Sequence, residues 1–235
     1  MVKFQPDNSP DNGYHSYQVY SPPDIPTTVL KQMYKDGKIT KSDYKKFMKG
    51  KKVMKHNFIG DISEFAIEYR FLEELSNTEL LMYVKGKNIL EFSRNNKVYT
   101  TRWNIDDIVL WLRNFIDTLK DDPFPIDCEG EFAAMKDDIA REFDSDDDTF
   151  DEYYQKLYEW CLKHKWHVAS NGAILADIYF QKTNDMMEIS WDNRNLDEDV
   201  EFTYVVGGEY VSCNLFVDVI KTFLKEYADY WYPCN

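Results

Sequence analysis

Apolar and polar residues alternate or cluster in short runs from residue 65 onwards. Four such runs have the length and residue types of β-strands: FAIEYRFL, TELLMYVKG, NILEFSR and KVYTTRW. Apolar residues then recur three and four positions apart in IDDIVLWLRNFIDTL, the spacing of one helical face, and Asn104 stands in the position of its cap. This block therefore predicts consecutive strands followed by an amphipathic helix.

A second block repeats this order after an amphipathic stretch, TFDEYYQKLYEWCLKHKW. Its strand-like runs are AILADIYFQK, DMMEISWD, DVEFTYVV and EYVSC. Gly207–Gly208 is predicted to form a hairpin turn between the last two runs. Asn214 then precedes the helical pattern LFVDVIKTFLKEYADYW. The second block thus predicts the same succession of strands and a final helix.

The two blocks are also alike in spacing. Glu91 lies thirteen residues before Asn104, and Glu201 lies thirteen residues before Asn214. Consecutive antiparallel strands followed by a covering helix form an α+β arrangement. We therefore predict an α+β fold in which antiparallel sheets are covered by helices, with two similar strand-rich halves that each end in an amphipathic helix.

Composition divides the chain into four predicted segments. Residues 1–55 contain five of the eight prolines and then a lysine-rich stretch, which predicts an arm and a helical hairpin. Residues 56–122 form the first α+β half, and residues 149–235 form the second. Between them, residues 123–148 predict an acidic linker. An apolar share of 43%, with 16% aromatic residues, is enough to build cores and excludes a wholly disordered chain.

The lysine-rich stretch shows a particular order of residues over positions 28–50. A helical pattern leads to Gly37, then to Ile39 and Thr40, and an acidic–aromatic pair, Asp43–Tyr44, opens the next helical pattern. This order resembles the SHOCT motif, a short helical hairpin. The resemblance implies a hairpin that serves oligomerisation or tethering and carries no chemistry.

Charge is unevenly distributed along a chain whose formal net charge is −14. Residues 31–55 hold ten Lys against two Asp, a net of +8, whereas residues 117–152 hold fifteen Asp or Glu against three Lys or Arg, a net of −12. Such asymmetry bears on partners rather than on fold. A nucleic acid could bind only through the lysine-rich hairpin, Lys31 to Lys55, and the alternative is a solvated face or one that neutralises the acidic body.

The cysteines are few and widely scattered, at Cys128, Cys161, Cys213 and Cys234. A disulfide scaffold would concentrate cysteine in a short secreted chain, so we expect reduced thiols in a cytoplasm. The N-terminus has no apolar run of signal-peptide type, and eighteen consecutive apolar residues occur nowhere. These features predict a soluble cytoplasmic protein without a membrane partner.

Cys161, His164 and His167 have the side chains of a zinc site without its spacing. Positions six apart on a helix differ by about 600° in direction, so three such ligands would not converge. No CxxC or HxxxH pattern elsewhere adds a fourth ligand. We therefore predict that these residues hold no zinc.

Asp144, Asp146 and Asp148 alternate like the first ligands of a calcium-binding EF-hand loop. That loop needs Gly at its sixth position and Glu at its twelfth, where this chain has Thr149 and Gln155. A solvated acidic linker, which would also favour the start of the next helix, accounts for them. The sequence therefore predicts no bound metal and no cofactor.

Asp177 and Glu188 are the candidate catalytic residues. They lie in adjacent predicted strands and could meet as the paired carboxylates of a metal-dependent nuclease or hydrolase. Such an enzyme usually has a lysine two positions after one acid, and Ser190 stands there instead, although Lys182 is near in sequence. Structural carboxylates explain the pair equally well. The sequence has no serine nucleophile elbow, phosphate-binding glycine loop or HExxH helix.

The hypothesis that best fits these observations is a non-enzymatic microbial binding protein, such as an immunity-type or regulatory inhibitor. It would dock a basic protein partner through an acidic, aromatic-rich surface, since complementary charge speeds association and aromatic side chains anchor it. The residues predicted for that surface are Asp144, Asp146, Asp147, Asp148, Tyr153 and Tyr154. The alternatives are the hydrolase described above and an acidic mimic of nucleic acid.

Overall fold

A computed structural model describes most of the chain, namely residues 2–6, 14–18, 27–37, 41, 44–45, 56–72, 77–142, 149–194, 196 and 199–231. The chain divides into two compact units, Met1–Lys55 with Leu72–Leu75, and His56–Phe71 with Ser76–Asn235. In the first unit, β1 (Val2–Pro6) and β2 (Tyr14–Gln18) pair antiparallel, and helix α1 spans Thr27–Lys35. Most of the second helix of the SHOCT-like hairpin lies outside the described residues, so that resemblance stays a prediction.

The second unit begins with an antiparallel sheet in the order β3–β4–β5–β6. Its strands are β3 (His56–Asp61), β4 (Phe65–Phe71), β5 (Thr78–Val84) and β6 (Lys87–Asn88). Every second residue of β5 is buried, as expected for a strand with one face on a core. The strands predicted from residues 65 and 78 are confirmed. β3 is an addition to the prediction, because its sequence HNFIGD has only two large apolar residues.

A β-hairpin follows, formed by β7 (Phe92–Arg94) and β8 (Lys97–Tyr99). Its turn residues Asn95 and Asn96 have φ of 52° and 58°. A two-residue hairpin turn of type I′ requires this left-handed conformation at both central residues, and asparagine adopts it more readily than most residues. The chain then leaves the hairpin through β9 (Thr101–Trp103), which pairs with β5.

Three α-helices and a short 3-10 helix occupy the middle of the chain. They are α2 (Asp106–Asp117), α3 (Ala133–Ala140), α4 (Thr149–His164) and the 3-10 helix (Trp166–Ala169). α2 and α4 confirm predicted helices, and the side chain of Asn104 accepts the N–H of Asp106 at 2.9 Å. α3 lies within the segment predicted as an acidic linker.

The last sheet has the order β10–β11–β13 and is followed directly by the predicted final helix, α5 (Cys213–Trp231). Its strands are β10 (Ile178–Thr183), β11 (Met186–Asp192) and β13 (Val206–Ser212). The short strand β12 (Glu201–Phe202) does not join them but pairs with β7. One strand of the second predicted half therefore completes a sheet of the first.

The predicted hairpin turn at Gly207–Gly208 is wrong, because both glycines lie inside β13. A Cβ atom at Gly207 would lie 2.8 Å from the ring of Trp191, and one at Gly208 would lie 2.5 Å from the ring of Phe132. These are distances that real Cβ atoms do not tolerate. The two glycines are thus used for close packing against aromatic rings rather than for a turn.

One large apolar core joins these elements. α5 packs on β3 and β4 and also on β11 and β13, while α2 packs on α5. The ring of Phe180 lies 5.8 Å from Phe115 and 5.5 Å from Phe216, centroid to centroid. The predicted α+β fold, with antiparallel sheets covered by helices, is confirmed.

The opposite face of the β10–β11–β13 sheet is covered by α3 and α4. A smaller apolar cluster lies there, formed by Phe124, Ala133, Ala134, Ala140, Leu157, Trp160, Cys161 and Tyr179. The same face carries Asp177, Glu188 and Ser190, which are buried. None of the described helices is long and apolar enough to cross a membrane.

Candidate functional site

Glu188, one of the two candidate catalytic carboxylates, caps a helix. It lies on β11 opposite Gln181 of β10, and its Oε1 accepts the backbone N–H of Ala133 at 2.7 Å and the hydroxyl of Ser190 at 2.9 Å. Ser190 Oγ accepts the N–H of Ala134 at 3.2 Å. Both N–H groups belong to the first turn of α3, whose own N-cap residue supplies no side-chain bond. Glu188 therefore holds the start of α3 on the sheet.

Asp177, the other candidate, belongs to a different site. Glu188 lies opposite Gln181, and Gln181 is four residues after Asp177. Four strand residues span about 13 Å, so this distance along the sheet separates the two carboxylates. Asp177 Oδ2 lies 2.6 Å from Lys165 Nζ, and its Oδ1 is buried without a partner among the described residues. The two carboxylates therefore do not form a pair, and the geometry lends no support to the hydrolase alternative.

Lys165 stands at the centre of a buried cluster of charged and polar groups beneath α3. Its Nζ lies 2.6 Å from the Asp177 carboxylate, 2.7 Å from the Tyr179 hydroxyl and 3.6 Å from the Asp137 carboxylate. Asp137, on α3, also accepts the Tyr179 hydroxyl at 2.5 Å and the Arg141 guanidinium at 2.9 Å. The cluster borders a small hollow of about 120 Å³.

The members of this cluster balance one another's charge. Burial would raise the pKa of Asp137, but hydrogen bonds from Arg141 and Tyr179 outweigh it, so this pKa lies below its ordinary value. Burial raises the pKa of Asp177 in spite of the neighbouring ammonium group. Burial, together with the charge of Asp137, raises the pKa of Cys161 to about 12, so this thiol is protonated at neutral pH. We interpret the cluster as structural, since its ammonium, hydroxyl and carboxylate groups bond to one another.

The three residues with zinc-ligand side chains have separate partners. Cys161 belongs to the buried cluster just described. His164 Nδ1 bonds to the carbonyl oxygen of Phe180 at 2.7 Å, and His167 Nδ1 bonds to that of Leu175 at 3.3 Å. Within the described part of the chain, no group of three or more His, Cys, Asp or Glu residues is arranged to hold a metal ion.

Four of the residues predicted to bind a partner lie outside the described residues, namely Asp144, Asp146, Asp147 and Asp148. Tyr153 and Tyr154 are described and half-buried at the start of α4. Their hydroxyls donate to the carbonyls of Ala140 at 2.9 Å and Arg141 at 3.0 Å, at the end of α3. Helix ends leave such carbonyls unpaired, so the two tyrosines join α4 to α3.

Two neighbouring apolar hollows lie along α2, one beside the 3-10 helix and one beside the end of α4. Leu110 on α2, Leu162 on α4 and Val168 in the 3-10 helix are 53%, 42% and 49% exposed. Trp111 is half-buried among them, and its indole N–H donates to the carbonyl of Leu162 at 3.2 Å. Leu110, Trp111 and Val168 line a hollow of about 420 Å³.

A second hollow, of about 250 Å³, lies further along α2 and shares no lining residue with the first. It is lined by Phe115, one turn beyond Trp111, and by Leu119 and His164. The rings of Trp111 and Phe115 stack with their centroids 5.2 Å apart. The two hollows together are named the α2 groove below. Their apolar lining residues are Leu110, Trp111, Phe115, Leu119 and Val168, and Leu162 borders them at Trp111.

Charge varies along the α2 groove. Asp107 lines its first hollow, whereas the second hollow has Lys120 and Lys163 against Asp122. α2 itself carries three acidic residues against the single basic residue Arg113. The end of the groove at Asp107 is therefore acidic, and the lysines outnumber the aspartate at the other end.

The α2 groove was not predicted, although the sequence held a sign of it. The apolar residues of α4 occupy more of the helix surface than the face that is buried. Leu157 and Cys161 are buried, whereas Tyr158 and Leu162 are exposed. Which part of a wide apolar face becomes buried depends on the neighbouring elements.

Comparison of the chain with protein-family models, with curated proteins and with solved structures found no match.

Proposed function

We propose that this protein is a non-enzymatic binding protein, a regulatory or immunity-type inhibitor, that docks a basic protein partner through the α2 groove. The observation that carries the proposal is the exposure of Leu110, Leu162 and Val168 around Trp111. Contiguous exposed apolar residues with a polar rim are typical of protein–protein contacts. A tryptophan at their centre is the kind of anchor that dominates binding energies.

The groove stands on firmly packed elements. α2 buries Ile108, Leu112 and Ile116 in the large core. α4 buries Leu157 and Trp160 in the smaller one. A partner would therefore meet side chains that are already held in place, which lowers the entropy cost of association.

The charge of the partner is inferred from that of the protein. A formal net charge of −14 attracts basic molecules, and the acidic end of the groove at Asp107 adds to this locally. Such attraction acts mainly on the association rate, while buried apolar contacts set the lifetime of the complex. Residues 144–148, which precede α4 in the sequence, are proposed to contribute to the same attraction.

The proposal is tested by comparing what wild-type protein and two variants capture from a native cell extract. The double variant Leu110→Asp, Leu162→Asp places two charges in the groove and should abolish capture of a specific basic protein. Ile139→Asp changes a residue that is 41% exposed on α3 and is the matched control, which should leave capture unchanged. Circular dichroism and thermal melting establish that all three proteins are folded.

Equal capture by the wild type and the double variant would contradict the proposal, as would a specific partner that is not basic. Once a partner is captured, changing Asp144, Asp146, Asp147 and Asp148 to Asn should slow its association and flatten the salt dependence of that rate. Equal association rates at low salt would remove these four residues from the proposed surface.

A further inference from the structure

A second open groove, separate from the α2 groove in the residues that line it, lies beside the β7–β8 hairpin. It has a volume of about 660 Å³, and its apolar lining comes mainly from Phe92, Tyr99, Trp103 and Ile174. The rings of Phe92 and Tyr99 stack with centroids 5.9 Å apart, and the Trp103 indole N–H donates to the carbonyl of Asn171 at 3.0 Å. These bonds and stacks hold the aromatic residues of this hairpin groove in place.

Two arginines, Arg94 and Arg102, line the hairpin groove together with one acidic residue, Glu79. Arg102 lies opposite Glu79 in the β5–β9 pair, but the carboxylate of Glu79 bonds to Arg70, so it does not neutralise Arg102. Arg102 is exposed and has no ion-pair partner within the described ranges. Arg94 has one long contact, 3.6 Å to Asp199. At least one guanidinium in the groove is therefore available to a carboxylate, which it can bind with two parallel hydrogen bonds.

The hairpin groove also borders a sheet edge. Within the described residues β8 pairs only with β7, and all three of its residues are exposed. Arg94 and Lys97 flank a two-residue turn and form the hydrogen-bonded pair next to it, so the following pair, Ser93 and Val98, is non-hydrogen-bonded. The N–H and C=O of Val98 therefore point away from β7. Val98 is 69% exposed, and within the described residues no strand pairs with this edge of β8.

We propose that the hairpin groove binds an extended, acidic segment of another protein. The segment adds a strand beside β8 through the backbone of Val98, its alternate side chains lie over Tyr99 and Trp103, and one of its carboxylates bonds to Arg102. Edge strands recognise extended peptides in this way, with backbone bonds for affinity and side-chain pockets for specificity. This inference concerns a second surface and does not depend on the α2 groove or its basic partner.

Single-stranded nucleic acid is the other class of ligand with planar groups and negative charge. The observations favour a peptide for two reasons. A nucleic acid does not extend a β-sheet by pairing with the backbone edge at Val98. A polyanion would also be repelled by a chain with a net charge of −14. A short peptide with one or two carboxylates meets much less of this repulsion.

The test uses the full-length protein and labelled peptides of defined sequence. The probe is acetyl-VEVYVEV with a fluorescein label, its neutral counterpart is acetyl-VQVYVQV, and an oligothymidylate represents nucleic acid. Binding is measured by fluorescence anisotropy. The acidic peptide should bind about tenfold more tightly than the neutral one, since hydrogen bonds to charged groups are the stronger ones.

Two variants separate the backbone contribution from the charge. Val98→Pro removes the outward N–H and leaves the bonds to β7 in place, so the affinity for the acidic peptide should fall about tenfold. Val98→Thr keeps the N–H and should leave this affinity unchanged. Arg102→Gln should lower the affinity for the acidic peptide about tenfold and leave the affinity for the neutral peptide unchanged. If Val98→Pro perturbs the thermal melt, Arg102→Gln and Arg102→Lys still decide the charge contribution.

Four results would overturn the proposal. The first two are equal affinity for the acidic and neutral peptides, and an affinity for the acidic peptide that Arg102→Gln does not change. The other two are binding of the oligothymidylate without binding of either peptide, and no binding of the acidic peptide at any attainable concentration. None of these results would affect capture of a basic partner through the α2 groove, because the two grooves are lined by different residues.

Discussion

Lys165 is the residue on which the buried charges beneath α3 depend. Its ammonium group is within bonding distance of Asp177 and Tyr179 and faces Asp137. Burying ionised groups costs free energy that their mutual attraction only partly offsets, so removal of one member leaves the others with an uncompensated penalty. The cluster is therefore stable as a set, and this explains how α3, which carries Asp137, can cover the sheet face that carries Asp177.

We expect Asp137→Asn and Asp177→Asn to change the pH dependence of stability in opposite senses. The pKa of Asp137 is lowered from 3.8 in the folded protein, so its contribution to stability is present above pH 3.8 and is lost as pH falls through the lowered pKa. The pKa of Asp177 is raised from 3.8, so its contribution is present below pH 3.8 and is lost as pH rises through the raised pKa. A difference of one in pKa between folded and unfolded protein corresponds to about 1.4 kcal/mol.

The measurement is the free energy of urea unfolding over a series of acidic to neutral pH values. Asp137→Asn should flatten the curve below pH 3.8, and Asp177→Asn should flatten it above that value. Asp151→Asn, on the exposed face of α4, is the control and should follow the wild type. Curves for both cluster variants that run parallel to the wild type would show that these two carboxylates are not perturbed.

Among the elements, α3 is held mainly by side chains that come from elsewhere in the chain. It has eight residues, and the N–H groups of Ala133 and Ala134 are bonded by Glu188 and Ser190 of β11. At its other end, hydroxyls from α4 bond the last carbonyls. An isolated helix this short is not stable in water, so these bonds decide whether α3 forms.

Glu188→Ala should lower the free energy of unfolding by about 1–2 kcal/mol, since it removes the acceptor for a helix N–H. Glu188→Gln keeps an oxygen acceptor of the same shape and should cost less. Urea unfolding measures both effects, and hydrogen exchange at the amides of Ala133 and Ala134 should accelerate more in the alanine variant. An alanine variant as stable as the glutamine variant would show that Glu188 does not hold α3.

At the scale of the whole molecule, the second unit is united by a core to which both predicted halves contribute. The rings of Phe65 and Phe216 lie 4.9 Å apart, and those of Phe115 and Phe180 lie 5.8 Å apart, each pair with one member in each half. β12 pairs with β7 across the same division. Separating the halves would expose these apolar surfaces to water at a cost of about 25 cal/mol per Å².

We therefore expect a fragment of residues 149–235 to be unfolded by itself, and a fragment of residues 56–235 to unfold in one cooperative transition. The second fragment is the control, because it keeps both contributors to the core. Circular dichroism with urea titration is sufficient to tell these outcomes apart. A cooperative transition in the fragment 149–235 would mean that the second half is an independent domain.

Local periodicity alone was enough to predict β4, β5, α2, α4 and α5. Each of these elements buries one face, and a buried face imposes a repeat of two residues in a strand and 3.6 in a helix. That repeat is contained in consecutive residues, so it can be recognised without knowing the neighbours. The α+β class follows from the order in which such elements succeed one another.

The tertiary structure decided everything that depends on residues far apart in the chain. Strand register separates Asp177 from Glu188. Glu188 instead bonds to Ala133, 55 positions earlier, and so stabilises α3, a helix whose own sequence shows little apolar periodicity. The ring of Phe132 explains why Gly208 lies inside a strand. Leu162 is exposed because no described element covers that side of α4. Burial and pairing are properties of neighbours in space, and short sequence patterns record only neighbours along the chain.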